Sequence, residues 1–200
     1  MLAELLGRDD VREELTVRSR FGFMAFHGGT LEKATDVVAR EAAEASGASY
    51  YGVVQYNDDP VHITSTEVTP TASVALAQFF ASVDVVITVH GYGRPALRRC
   101  VLLGGRNRDL ADHIAEHARA HLPDFTFHTD LTVIPRELAG QHSRNPVNLP
   151  VNRGVQLELP ADLRWNFDEA GWSDHDGTTR APQLNSLIAA LAAAARSWSI

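Results

Sequence analysis

Two kinds of hydrophobic pattern alternate along this chain: short β-branched or aromatic runs, and longer stretches with apolar residues every three or four positions. Phe21-Gly-Phe-Met-Ala-Phe is a continuous apolar run closed by His27 and two glycines, and it reads as a buried strand. Thr30-Leu31-Glu32-Lys33 opens a helix predicted from about Leu31 to Ser46, with Leu31, Ala34, Val37, Val38, Ala42 and Ala45 on one stripe. Gly47 is its expected stop. Ser49 to Tyr56 reads as a second strand and the alternating Val61 to Val68 as a third. A helix is expected over Thr71 to Ser82. Val83 to Val89 is another β-branched run, and it too ends in a histidine, His90, followed by glycine.

Beyond it, Arg99 to Gly105 reads as a buried strand and Asp109 to His121 as a helix. Leu131 to Ile134 reads as a short strand, and Val155 to Pro160 as a last core strand. The Ala- and Leu-rich segment from about Gln183 to Ser197 reads as a closing helix. Ser143 to Gly154, rich in proline and asparagine, is an ordered turn. Residues 1–15 form an N-terminal extension or short helix around Leu2, Leu5 and Leu6. Strands alternating with helices predict an α/β fold with one mixed, largely parallel sheet flanked by helices. With 200 residues and 44% hydrophobic content, one core and one domain spanning 1–200 are expected.

Charge narrows the function classes. A net charge of −7 with no basic stripe argues against nucleic-acid binding, which needs cations to neutralise phosphates. The charged N-terminus lacks a signal-peptide pattern, and the longest apolar stretch, near Leu187 to Ala195, is too short to span a bilayer. A cytoplasmic protein is expected. Cys100 is the one cysteine, so no intrachain disulfide is possible, and its apolar surroundings suggest a buried structural thiol rather than a nucleophile. No G-x-S-x-G elbow occurs, which disfavours a serine hydrolase.

Candidate chemistry gathers at the strand ends. In an open α/β sheet ligands bind at the carboxyl edge, so His27 and His90 would share a crevice if their strands run parallel. Glu32, in the first turn of the following helix, can bring a carboxylate back toward His27, and this donor set suits zinc. Glu158, between Leu157 and Leu159, either faces solvent or is a buried carboxylate suited to acid-base work. Arg94, Arg106 and Arg153 follow glycine-rich or turn segments and are either solvated or placed to grip a substrate carboxylate. His113-Ile-Ala-Glu116-His117 matches the H-x-x-E-H pattern of inverted zinc peptidases. On a helical wheel, however, both histidines border the apolar stripe while Glu116 points away, so this reads as an ordinary helix face. Asp174-His175-Asp176 reads as a polar loop.

The set His27-Gly-Gly-Thr-Leu-Glu32, His90-Gly91, Asn145-Pro-Val-Asn148 and Gly154-Val-Gln-Leu-Glu158 resembles the phage-type poly-γ-glutamate hydrolase family. The resemblance runs from about Phe21 to the C-terminus. It implies a compact relative of the zinc carboxypeptidases, with Zn2+ held by His27, Glu32 and His90 and with Glu158 as catalytic glutamate. Two departures, Thr30-Leu31 in the first motif and the continuation Leu149-Pro-Val-Asn152, bear on specificity more than on the metal. The implied reaction is hydrolysis of γ-glutamyl amide bonds by metal-activated water. Arg106 is the first choice for the oxyanion, with Arg94, Asn107, Asn145 and Arg153 as candidate substrate contacts. An acidic chain acting on a polyanion would need a locally basic cleft. Two other readings remain: an N-acylamino-acid or small-peptide amidohydrolase on the same scaffold, and a non-catalytic metal-binding domain.

Overall fold

The apolar run ending in His27 lies near the middle of a seven-stranded sheet. The computed structural model describes residues 2–199. The chain begins with α1 (Leu2–Leu6), β1 (Val11–Thr16), β2 (Phe21–Gly29), α2 (Thr35–Ser46), β3 (Ser49–Gln55), α3 (Val74–Ser82) and β4 (Val85–Gly91). It continues through β5 (Cys100–Leu103), α4 (Arg108–Arg119), β6 (Thr126–His128), β7 (Gly154–Leu159), α5 (Ala161–Arg164), a small hairpin of β8 (Trp165–Asn166) and β9 (Gly171–Trp172), and α6 (Pro182–Ser197). Strand order is β1-β3-β2-β4-β7-β5-β6. The four central strands, β3, β2, β4 and β7, run parallel, whereas β1 pairs antiparallel with β3 and β5 antiparallel with β7, β6 then running parallel to β5. The fold is therefore a mixed, mostly parallel α/β sheet flanked by helices.

Both faces of the sheet are covered, which explains why the central strands read as unbroken apolar runs. On one face Phe23, Val85, Ile87, Val155 and Leu157 pack against α2, α4 and α6 through Val38, Leu110, Ile114, Leu187 and Leu191. On the other, Met24, Phe26, Tyr51 and Val86 pack against Leu2, Leu5, Leu76 and Phe79, with Ile63 and Val68 from the intervening loop. Gly47 ends α2 in the left-handed conformation at φ 73, as the pattern predicts.

Several expectations are corrected. Val11–Thr16, expected within an extension, is the edge strand β1. Its charges suit an edge that must not pair further, and two of them are used: Glu13 accepts from the Tyr51 hydroxyl at 2.7 Å and Glu14 from Tyr50 at 3.3 Å. The helix expected from Leu31 begins at Thr35, after Ala34 in the left-handed region (φ 69), so Glu32 sits in the turn before it. Val61–Val68 is no strand: the buried Gln55 side chain takes both Val61 backbone groups, at 2.8 and 2.9 Å, and Ser65–Glu67 coils into a 3-10 turn. The helix expected from Thr71 starts at Val74, preceded by a 3-10 turn at Pro70–Ala72. The strand expected at Leu131–Ile134 lies instead at Thr126–His128, because Asp130 turns the chain by accepting from the Thr132 backbone at 2.8 Å.

Candidate metal centre

Strand β2 would point His27 away from Phe26, toward the helix-covered face, were its alternation regular. It is not: Ala25 pairs with Gly52 and Gly28 with Val54, so three steps on β2 face two on β3, and this bulge re-aims His27. Gly29 then turns at φ 73, where a side chain would strike the Gln55 carbonyl at 2.1 Å. Glu32 is returned to the strand end by its own amide, which donates to the His27 carbonyl at 2.9 Å. The adjacent parallel strand delivers His90 to the same edge. Together, His27 Nδ1 lies 2.8 Å from Glu32 Oε1, His90 Nδ1 lies 3.5 Å from Glu32 Oε2, and the two Nδ1 atoms are 3.3 Å apart.

The donor set fits a metal ion. His27 Nε2 faces the Ile63 carbonyl at 2.8 Å, and a carbonyl can only accept, so Nε2 carries the proton and a neutral His27 presents a lone pair at Nδ1. A backbone partner of this kind is the usual way to orient an imidazole ligand. Two imidazole nitrogens and a carboxylate converging within 3.5 Å then require a cation, either a proton or a metal. Ligand atoms about 2.0–2.1 Å from a tetrahedral zinc stand roughly 3.3 Å from one another, close to the spacing found. In the metal-free protein burial pushes the Glu32 carboxyl up, but His27 and His90 outweigh it and hold the group well below the usual carboxylate range. For His90 burial works the other way, and contact with Glu32, aided by Glu158, raises it above the ordinary imidazole value.

Glu158 is the register partner of His90 across the β4–β7 pair. It is 4% exposed, which decides between its two readings: the strand is covered on both faces and the carboxylate is inside. Burial pushes its pKa up, only partly opposed by His90. Gln156 donates to Glu158 Oε1 at 2.8 Å, and Asn145 in turn donates to Gln156 at 2.8 Å. Asn145 is thus tied to the site through Gln156, not placed to meet a substrate directly.

The arginine expectations fare differently. Arg106, Asn107 and Arg153 lie at the opposite edge of the sheet, because β5 runs antiparallel to β7 and its following turn meets the start of β7. There the Asn107 amide donates to the Gly154 carbonyl at 3.1 Å, and Arg106 donates to the Gln141 carbonyl at 3.0 Å. Four residues of strand separate Gly154 from Glu158, about 13 Å. The first-choice oxyanion residue is therefore out of place. Exposed Arg106→Ala should leave kcat/KM within about twofold and stability within about 0.5 kcal/mol; a tenfold loss of amidase activity would return it to the site. Arg94 is on the correct edge but pairs with Glu137. The H-x-x-E-H histidines face α6, His113 bonding the Ala194 carbonyl and both reaching Ser197 Oγ, as an ordinary helix face would. Asp174-His175-Asp176 lies in a loop where Asp174 pairs with Arg180. Cys100 is half-buried at the start of β5, not fully enclosed.

Comparison with known proteins settles the family. The sequence profile of poly-gamma-glutamate hydrolase matches residues 4–190. The chain belongs to the poly-gamma-glutamate hydrolase family. Among solved structures, a bacteriophage poly-gamma-glutamate hydrolase superposes with TM-score 0.78 at 21% identity, covering 92% of this chain and 87% of that one. A structure described as zinc-free YNDL gives 0.77 at 20% identity, covering 97% and 94%. A metallo-carboxypeptidase from Pseudomonas aeruginosa gives 0.52 at 15% identity, covering 97% of this chain and 66% of that one, so the fold is carboxypeptidase-like. No curated protein sequence matches the chain. Membership makes the protein a hydrolase.

Three residues of this family member escaped the sequence reading. Gln156, two positions before Glu158, holds that carboxylate. His62 is exposed, stacks 4.5 Å from the His27 ring, and brings a ring nitrogen within 4.8 Å of ligand atoms of His27 and Glu32. Arg164 is 5% exposed, beside Glu32 and Glu158, and burial lowers it to about 10. An isolated histidine in a polar loop and an arginine on a four-residue helix carry no pattern that singles them out. Among the described residues no helix is long and apolar enough to cross a membrane.

Proposed function

We propose that this protein is a zinc-dependent amide hydrolase that cleaves γ-glutamyl bonds, with His27, Glu32 and His90 as metal ligands and Glu158 as general base. The observation that carries the reading is the convergence of the three ligand atoms within 3.5 Å, with Glu158 opposite His90 on the next strand, in a chain of this family. Zinc held there would polarise the scissile carbonyl and lower the pKa of a coordinated water to about 7. Glu158 accepts a proton from the attacking water and returns it to the leaving nitrogen as the C–N bond breaks. Its raised pKa makes it a stronger base than an exposed carboxylate, and Gln156 fixes which oxygen faces the site. The Ile63 carbonyl holds the His27 ring, and the Gly91 amide, donating to Glu32 Oε2 at 2.9 Å, holds the carboxylate.

His90 rather than His62 is the third ligand, because its buried Nδ1 faces both other donors whereas His62 is exposed and packs on the His27 ring. His62→Ala should retain close to one zinc per chain by elemental analysis. Loss of zinc from that variant would replace His90 by His62 in the ligand set.

A zinc assay paired with amidase assays on poly-γ-glutamate and on short γ-glutamyl peptides tests the reading as a whole. Zinc with cleavage of γ-linked but not α-linked glutamate supports it; zinc without amidase activity would leave a non-catalytic metal domain. A small-substrate amidohydrolase is the second reading, favoured by a cavity of only about 190 Å³ beside the site and by the fold likeness to a protein described as N-formylglutamate amidohydrolase from Ralstonia eutropha (TM-score 0.52, 11% identity, covering 94% of this chain and 96% of that one). Activity on single acylated amino acids exceeding that on the polymer would decide for it.

A further inference from the structure

The cavity of about 190 Å³ that opens beside Glu32 is lined by Lys33, Gly91, Tyr92, Arg164 and Trp172. It is smaller than the roughly 300 Å³ at which whole-ligand pockets begin, so it is sized for one group of a substrate. Arg164 forms its floor. The guanidinium fits there because residue 91 has no side chain, a Cβ at Gly91 falling 2.6 Å from Arg164 Cζ. Two of its nitrogens are committed to backbone, Nη1 to the Lys33 carbonyl at 3.0 Å and Nη2 to the Tyr92 carbonyl at 3.3 Å. Its Nε is buried without a partner among the described residues.

A buried guanidinium normally meets a carboxylate, because leaving the charge and its donors unpaired is costly. Arg164 forms no ion pair within 4.0 Å among the described residues, Glu32 and Glu158 acting on it only from further off, whereas Arg94 pairs with Glu137, and Arg98 and Arg99 with Asp162. A second cation compounds the cost. Lys33 Nζ lies 5.9 Å and Arg164 Cζ 5.0 Å from the centre of the same Trp172 ring. The indole attracts both, yet the two positive charges repel one another, and an anion between them removes that repulsion while meeting the unused donors.

Resting on the γ-glutamyl reading above, we propose that Arg164 and Lys33, seated on Trp172, form the subsite for the free α-carboxylate of the γ-linked glutamyl unit beside the scissile bond. A γ-linkage leaves this carboxylate next to the amide being cut, and the cavity adjoins Glu32 and Gly91 at the metal edge. The subsite supplies the local positive charge that an acidic chain needs to take a polyanion. Arg164 and Lys33 thereby read the linkage and not the length of the polymer.

The test compares a short γ-glutamyl peptide with the same peptide whose α-carboxylate is an α-carboxamide, on wild type, Arg164→Lys and Lys33→Gln, with melting temperatures recorded. Wild type should prefer the carboxylate by roughly 10- to 100-fold in kcat/KM, the range for a charge-assisted contact. That ratio should fall below about threefold in Arg164→Lys, where the fork geometry is lost, and decline in Lys33→Gln, chiefly through KM. Lys33 is only half-buried, so this variant carries the test if the buried arginine proves essential to folding. Equal cleavage of the two peptides by wild type, or an unchanged ratio in a folded Lys33→Gln, overturns the subsite and leaves the hydrolase reading standing. Cleavage of neither peptide overturns the γ-glutamyl reading and the subsite with it.

Discussion

On the proposed mechanism Glu158→Gln should retain zinc and substrate affinity while turnover falls by roughly two to four orders of magnitude, the usual range for removing a general acid-base group. The substitution is nearly isosteric, so it tests the proton and little else. Glu158 Oε1 already accepts from Gln156 Nε2 at 2.8 Å, and the new amide can keep that contact through its own oxygen. Stability therefore changes little. Removing a buried carboxylate whose pKa burial has raised even relieves a desolvation cost at neutral pH. Zinc content, melting temperature and steady-state kinetics on this one variant separate the alternatives. Full activity with zinc present would exclude Glu158 as the base, and loss of zinc would make it a ligand.

The second large effect is on the metal. On the proposed ligand set His27→Ala, Glu32→Ala or His90→Ala each leaves two of three protein ligands, too few for a tight zinc site, so elemental analysis should give close to zero zinc and activity should vanish with it. His113→Ala and His117→Ala should leave the zinc in place, since those rings are engaged with α6 at another face of the protein. The reverse pattern would move the site to the helix. Stability reports the same event without any turnover assay. A ligand present at about a thousand times its dissociation constant stabilises the fold by roughly 4 kcal/mol, and each kcal/mol moves the melting temperature by about 2–4 °C in a domain of this size. Stripping the metal with a chelator should lower the melting temperature by roughly 10 °C in wild type and by nothing measurable in the three ligand variants.

The strand ends are legible in the sequence because their cause is local. A continuous apolar run stopped by histidine and glycine, aromatic before His27 and β-branched before His90, reports a buried strand and a tight turn whatever surrounds it. The residue pattern alone therefore places His27 and His90 on two strand ends, with Glu32 close behind the first. Their meeting needs two further conditions, that β2 and β4 run parallel and that the bulge in β2 turns His27 to the shared face, and both hold. The C-terminal helix and the end of α2 are visible for the same local reason.

What only the tertiary structure decided depends on strand direction and on long-range pairing, neither of which a hydrophobic period encodes. Arg106 and Asn107 follow a buried strand and two glycines, just as Thr30 does at the edge that carries His27 and His90. Because β5 is inserted antiparallel beside β7, that turn falls at the far end of the sheet. Val61–Val68 has the alternation of a strand, but a buried glutamine side chain and a 3-10 turn took its backbone hydrogen bonds, and this placed His62 over His27. The burial of Glu158 depended on layers covering both faces of the sheet, contributed by segments distant in sequence. Arg164, on α5, acquired its position from the missing side chain at Gly91, 73 residues earlier at the end of β4, an approach that neither segment records by itself.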